Sequence, residues 1–159
     1  MRITIICVGK IKEKYFTGAI EEYTKRLGKY CKLDIIELPD EKTPDTATPA
    51  EEERIKKKEG ERVIKAIPEY AYVIALAIEG KQLSSVELAQ KIEKLGVEGV
   101  SHIVFLIGGS LGMTDELLER ADFLLSFSKM TFPHQLMRVV LLEQIYRSYR
   151  INSNEPYHK

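Results

Sequence analysis

The chain has 159 residues, 44% of them hydrophobic and 30% charged, which suits one soluble globular domain spanning residues 1–159. Its 24 Lys and Arg balance 24 Asp and Glu, so no whole-molecule basic field exists to collect nucleic acid or membrane, and a polyanion must be held by a local patch. The longest apolar runs fall well short of the ~18 residues of a spanning helix, and Ile3 to Val8 is below the roughly 7 to 15 of a signal core, so a cytoplasmic protein is expected.

In chain order, "ITIICV" (3–8) reads as a first strand, and a helix over 14–28 follows. "LDIIEL" (33–38) is a second strand, then the proline-rich stretch 39–49 is a surface loop. "TPAE" (48–51) combines a Thr cap, a Pro in the first helical position and a Glu three residues after the cap, opening a helix over 49–66. That helix has a thin apolar stripe (Ile55, Val63, Ile67) and Glu-to-Lys pairs at 52/56, 53/57 and 61/65. Its triple lysine is read as a solvated face.

"YVIALAI" (72–78) is a third strand and "SSVE" a capping box for a helix over 85–96. "HIVFLI" (102–107), a helix over 114–120, "FLLSF" (123–127) and a last helix over 133–150 complete the order. Most of the strands are apolar on both alternating faces, as strands covered on two sides are. The alternation predicts an α/β domain: a mainly parallel sheet of five or six strands with helices on both faces. Cys7 and Cys31 lack metal-type spacing and read as small core residues, and no metal site is expected.

Ligands of open α/β sheets sit beyond the carboxyl ends of the strands. Three such ends carry unusual chemistry: "LAIEGKQLSS" (76–85), "GGSLGMTDE" (108–116) and "SFSKMTFPH" (126–134). The glycines let a backbone approach a ligand, although a plain strand-to-helix turn uses them equally well. The same run fits Gly-x-Ser-x-Gly, which makes a serine hydrolase with Ser110, Asp122 and His134 or His158 a rival reading.

The last helix opens at Pro133 and is apolar around most of its circumference, which calls for burial on more than one side and predicts a homodimer interface. His134 and Arg138 share a face. Arg147 pairing with Glu143, with a frayed end beyond, is the plain reading of the tail; an anion or phosphate site is the other.

"VGKIKEKY", "IEGKQLSS", "GGSLG", "LSFSKMTFPHQLMRVVLLEQIYRSYRI" and the closing "PYHK" together resemble the bacterial ribosomal large subunit methyltransferase H family, of the SPOUT class. The resemblance runs the length of the chain. It implies a SPOUT-like fold with a C-terminal trefoil knot and a homodimer. It also implies S-adenosylmethionine-dependent methylation of N3 of a pseudouridine in the 23S rRNA of the assembled ribosome. The cofactor would be held by Leu76, Gly108 and the run Phe127, Ser128, Lys129, Met130, Thr131 and Phe132. Arg147, Tyr157 and His158 are the candidate catalytic residues: His158 as general base, Arg147 to stabilise negative charge, Tyr157 to orient the base, acting across the dimer. Ala77 stands where relatives often carry an acid, and Glu79 is the candidate substitute. A ribosome-binding module without catalysis is the non-enzymatic alternative.

Overall fold

In the computed structural model all 159 residues are described. Five strands, β1 (Arg2–Val8), β2 (Lys32–Leu38), β3 (Tyr72–Gln82), β4 (His102–Ile107) and β5 (Phe123–Ser126), form one sheet in the order β2-β1-β4-β3-β5. Every pairing is parallel. The helices α1 (Lys14–Leu27), α2 (Pro49–Ala66), α3 (Ser85–Val97), α4 (Asp115–Arg120) and α5 (His134–Asn152) fill the crossovers and cover both faces.

The two faces account for the unbroken apolar runs. Alternate residues Ile3, Ile5 and Cys7 of β1 and Ile103, Phe105 and Ile107 of β4 pack under α1, α3 and α5. Their neighbours Ile6, Val8, Val104 and Leu106 meet Val63 of α2 and Leu117 of α4. Each such side chain withdrawn from water contributes about 1.5–3 kcal/mol, so the central strands carry no polar alternation, and the one buried polar residue of β1, Thr4, meets His102 Nε2 at 2.8 Å. Cys7 is buried, as expected of a core residue, and Cys31 partly so.

The caps read from sequence form. Thr48 accepts from Glu51 N at 3.2 Å, and Ser84 and Glu87 exchange bonds of 3.1 Å. Pro49 is the first residue of α2, but α5 begins one residue later than expected: Pro133, with ψ 139°, is the cap, and its carbonyl accepts the first helical bond from Met137 N at 2.9 Å. Of the surface pairs expected on α2, Glu53 takes Lys56, three residues on, rather than Lys57. The greater departure is in β3, which runs to Gln82. Its ladder with β5 slips, since Leu76 and Lys81 both face Leu125, so residues 77–80 bulge outward. Gly80 fits there because a Cβ would lie 2.7 Å from the carbonyl carbon and oxygen of Leu124.

Candidate active site

The β3 bulge, the β4–α4 loop and the β5–α5 turn converge on one cavity of about 700 Å³ at the carboxyl ends of the central strands. Parallel strands force this: all three segments leave the sheet at the same edge. Leu76, Gly108, Phe127, Ser128, Met130, Thr131 and Phe132 all line it. Lys129 does not; its side chain is exposed beside the rim.

Each wall has a local cause. Gly112, at φ 84°, donates to Gly109 O at 3.0 Å and closes the loop on itself. A Cβ on Gly108 would meet Met113 Cγ at 3.1 Å, so only glycine lets this turn pack so tightly. On the opposite wall Ser126 Oγ donates to Ser128 O, and Ser128 Oγ accepts from Met130 N, both at 3.0 Å, which curls the 126–130 segment around the cavity.

α5 contributes His134 and Met137. The His134 ring lies against Gly9, whose φ of 101° and missing Cβ make room; a Cβ would fall 3.1 Å from Cε1. Behind it the buried Arg138 donates from Nη1 to Glu37 Oε2 at 2.6 Å and from Nη2 to Gly9 O at 3.2 Å. Burial, then the Arg138 charge, holds the His134 imidazole below its ordinary value. Glu37 also accepts from Ile11 N at 3.1 Å, and Lys12 N donates to Gln135 at 3.3 Å. The β1–α1 loop is thereby sewn to the first turn of α5.

The cavity suits S-adenosylmethionine by its chemistry. Its volume is in the usual range for small-molecule sites, roughly 300–1,000 Å³. Leu76, Ile78, Met113 and Phe127 offer apolar walls for a purine, and the glycine turn brings backbone within reach of its polar edge. Glu79 is the only acid in the lining. It lies on the bulge two residues beyond Ala77, and both belong to the cavity wall.

Arg147, Tyr157 and His158 lie together, but away from this cavity. Arg147 grips Glu143 through Nη2 and Nε at 2.7 and 3.1 Å, as expected, and its Nη1 lies 3.1 Å from His158 Nδ1. Tyr157 OH donates to Glu143 at 3.0 Å beneath the Arg147 guanidinium, 4.7 Å from the ring centroid. Burial, then the Glu143 bond, pushes the Tyr157 phenol up to about 12. The tail is not frayed: Glu155 accepts from Tyr30 OH at 2.8 Å and pairs with Lys29 and Arg150. Arg147 lies ten positions beyond Met137, about 15 Å along the helix, so one chain holds the two groups towards opposite ends of α5.

A hydrolase triad does not assemble. Ser110 is exposed and bonds to neither histidine. Asp122 accepts from Val73 N at 2.8 Å near the start of β3, the end of the sheet opposite Ser110. Gly-x-Ser-x-Gly here is a turn.

Sequence reasoning placed Arg138 on one face with His134 but missed its buried pairing with Glu37, and it missed Glu59 as part of this region. Glu59 is 6% exposed, and a Cβ on the cavity-lining Gly109 would lie 3.1 Å from its Oε1. The signal was available: Glu59 interrupts the fourfold spacing of Ile55, Val63 and Ile67.

The family described as "Predicted SPOUT methyltransferase" matches residues 1–158. The chain is 66% identical to a ribosomal RNA large subunit methyltransferase H of Bifidobacterium adolescentis and 62% identical to one of Clostridium novyi, with 100% of both partners covered in each case. Among solved structures it is similar to a probable methylase family protein of Haemophilus influenzae, with TM-score 0.54 and 12% identity, covering 99% of this chain and 70% of the other, a likeness of fold.

Proposed function

The chain belongs to the SPOUT methyltransferase family, and on that premise we propose that it methylates N3 of a pseudouridine in the 23S rRNA of the assembled ribosome, in the cytoplasm, using S-adenosylmethionine. The observation that carries this reading is the convergence of Leu76, Gly108 and the 127–132 turn on one apolar cavity, in a chain matched end to end by ribosomal RNA methyltransferases H. It is an enzyme. The charge balance favours docking on a shaped ribosomal surface over capture of free RNA through a broad basic field.

When bound, the cofactor supplies a methyl group already activated on sulfur, leaving positioning and electrostatics to the protein. Leu76 and Phe127, with Ile78 and Met113, would wall the purine, Gly108 would bring its backbone close, and Met130 and Phe132 would cover it from the exposed rim. Lys129, exposed at the rim, serves the incoming RNA backbone better than the cofactor. The ring imide must lose its proton, and His158 is the acceptor we assign. Arg147 can only donate, so its 3.1 Å contact occupies the His158 Nδ1 lone pair. A uracil-type carbonyl that draws Nη1 away frees Nδ1 to take the proton, while Nε and Nη2 stay anchored on Glu143. Arg147 then faces the oxygen on which negative charge gathers, and Tyr157 stacks or orients the base.

The separation of cavity and tail along α5 supports a homodimer in which the tail of one protomer closes over the cavity of the other. Met130, Phe132 and Leu136, exposed beside the cavity, suit such an interface. A C-terminal trefoil knot belongs to the same proposal. The test is mass spectrometry of ribosomal RNA after unmodified ribosomes meet the protein and labelled cofactor. One labelled methyl on one pseudouridine is expected, and unlabelled RNA sinks the reading.

A further inference from the structure

Glu59 is a buried carboxylate without a cation. It stands on α2, 6% exposed, with both oxygens 3.1 and 3.4 Å from where a Gly109 Cβ would be, and Gly109 lines the cavity. Oε2 accepts from Glu41 N at 3.0 Å, and Oε1 accepts no hydrogen bond within the chain. The nearest candidate cation, Arg62, is spent on Glu41 and on Pro39 O. A largely buried carboxylate in no ion pair is costly even where Oε1 keeps contact with water, so a chain that keeps one against a ligand wall has a use for it.

We propose that Glu59, acting through the thin Gly109 wall, is the counter-charge that makes the cavity prefer the sulfonium cofactor to the neutral thioether left after methyl transfer. This rests on the reading of the cavity as an S-adenosylmethionine site. The adenosyl and amino acid parts of the two ligands are the same, so apolar walls cannot distinguish them. Charge at sulfur does, and a fixed anion behind glycine favours substrate over product.

Burial foremost, then the charges of Asp40 and Glu41, raise the Glu59 carboxyl above its ordinary value, against the opposing Glu41 N–H and Arg62. A cation arriving in the cavity stabilises the ionised form and expels a proton. Sulfonium affinity is therefore full above the raised value and declines as pH falls through it. The other ionisable groups on this region are Glu79 and His134 in the lining.

The test is calorimetry on the full-length protein with S-adenosylmethionine and S-adenosylhomocysteine, in two buffers of different ionisation heat. In the pH window where the raised Glu59 carboxyl titrates, wild type should release protons with the sulfonium ligand and none with the thioether. Glu59→Gln should lose about tenfold in sulfonium affinity and the proton release, with thioether affinity within about twofold; Glu59→Asp should keep the preference. Equal losses for both ligands, an unchanged preference, or a preference abolished by Glu79→Gln alone and untouched by Glu59→Gln would overturn the assignment. Should Glu59→Gln not fold, the wild-type difference in proton release and the Glu59→Asp preference decide it, and absence of either overturns it. A protein that binds neither ligand overturns the cofactor reading itself.

Discussion

Arg138 Nη1 meets Glu37 Oε2 at 2.6 Å, joining α5 to the end of β2 across 101 positions of sequence. The Arg138 side chain is 2% exposed and that of Glu37 38%, so the pair is buried at one end and watered at the other. Burial would raise the Glu37 carboxyl, but the Arg138 and Ile11 N–H bonds outweigh it and hold it below its ordinary value. A carboxyl lowered in the folded state stabilises the fold above its unfolded value, and that contribution is lost as pH falls through the folded one. Glu37→Gln should therefore flatten the acid side of a pH–stability profile measured by denaturant melts and leave the alkaline side unchanged.

Truncating the other partner is harsher. Arg138→Ala removes a filled volume and two bonds, and Glu37 can rehydrate, so a loss of about 2–3 kcal/mol is expected, below the range for fully buried pairs. Chemical denaturation measures it. Because that guanidinium holds Gly9, against which the cavity-lining His134 ring lies, cofactor affinity by calorimetry should fall as well.

Gly80→Ala puts a methyl 2.7 Å from the Leu124 backbone, which cannot yield as a flexible side chain does. Overpacking of this kind costs about 1–3 kcal/mol, and the bulge that carries Ile78 and Glu79 must move. Thermal melting and cofactor titration should worsen together. A variant with native cofactor affinity would show that the bulge does not shape the site.

Arg147→Ala should lower single-turnover methylation of ribosomes on the order of 10²-fold, as for loss of one charge-stabilising donor, with cofactor affinity nearly intact. For His158→Ala a loss of roughly 10² to 10⁴ follows if it takes the proton. A wild-type single-turnover rate in that variant would assign the proton elsewhere.

The Cys7 thiol is pushed up to about 12 and that of Cys31 to about 11, in both cases by burial first. Neither should react with a thiol reagent at neutral pH until the protein is unfolded, which a colorimetric thiol titration checks.

Much of this site is legible in one sequence because its walls sit immediately after strands, and strand ends announce themselves by the change from β-branched runs to glycine and serine. The segments 76–85, 108–116 and 126–134 are found that way, whereas Leu76, Gly108 and the 127–132 run within them follow from the family resemblance. The bulge in β3 is not legible, since its register against β5 is fixed by Gly80 meeting Leu124, a contact between residues 44 apart that no local pattern encodes. Strand order escaped for the same reason. Glu59 and Arg138 hid because acids and arginines on helices usually face water; only their interruption of apolar spacing marks them as inward. The tail looked loose because Tyr30 and Glu143, which hold it, lie far from it or on the far side of a turn.

That tail has a consequence for turnover of the protein in the cell. The residues after α5 are held through Glu155 by Tyr30, Lys29 and Arg150 and through Tyr157 and His158 by Glu143 and Arg147, whereas the cavity is built at the other end of the helix. Loss of the segment from Glu155 onward would leave an antibody-detectable molecule that keeps the cavity and Arg147 but lacks the proposed Tyr157 and His158. Abundance and modifying capacity would then part company, and the intact terminus is what should be counted.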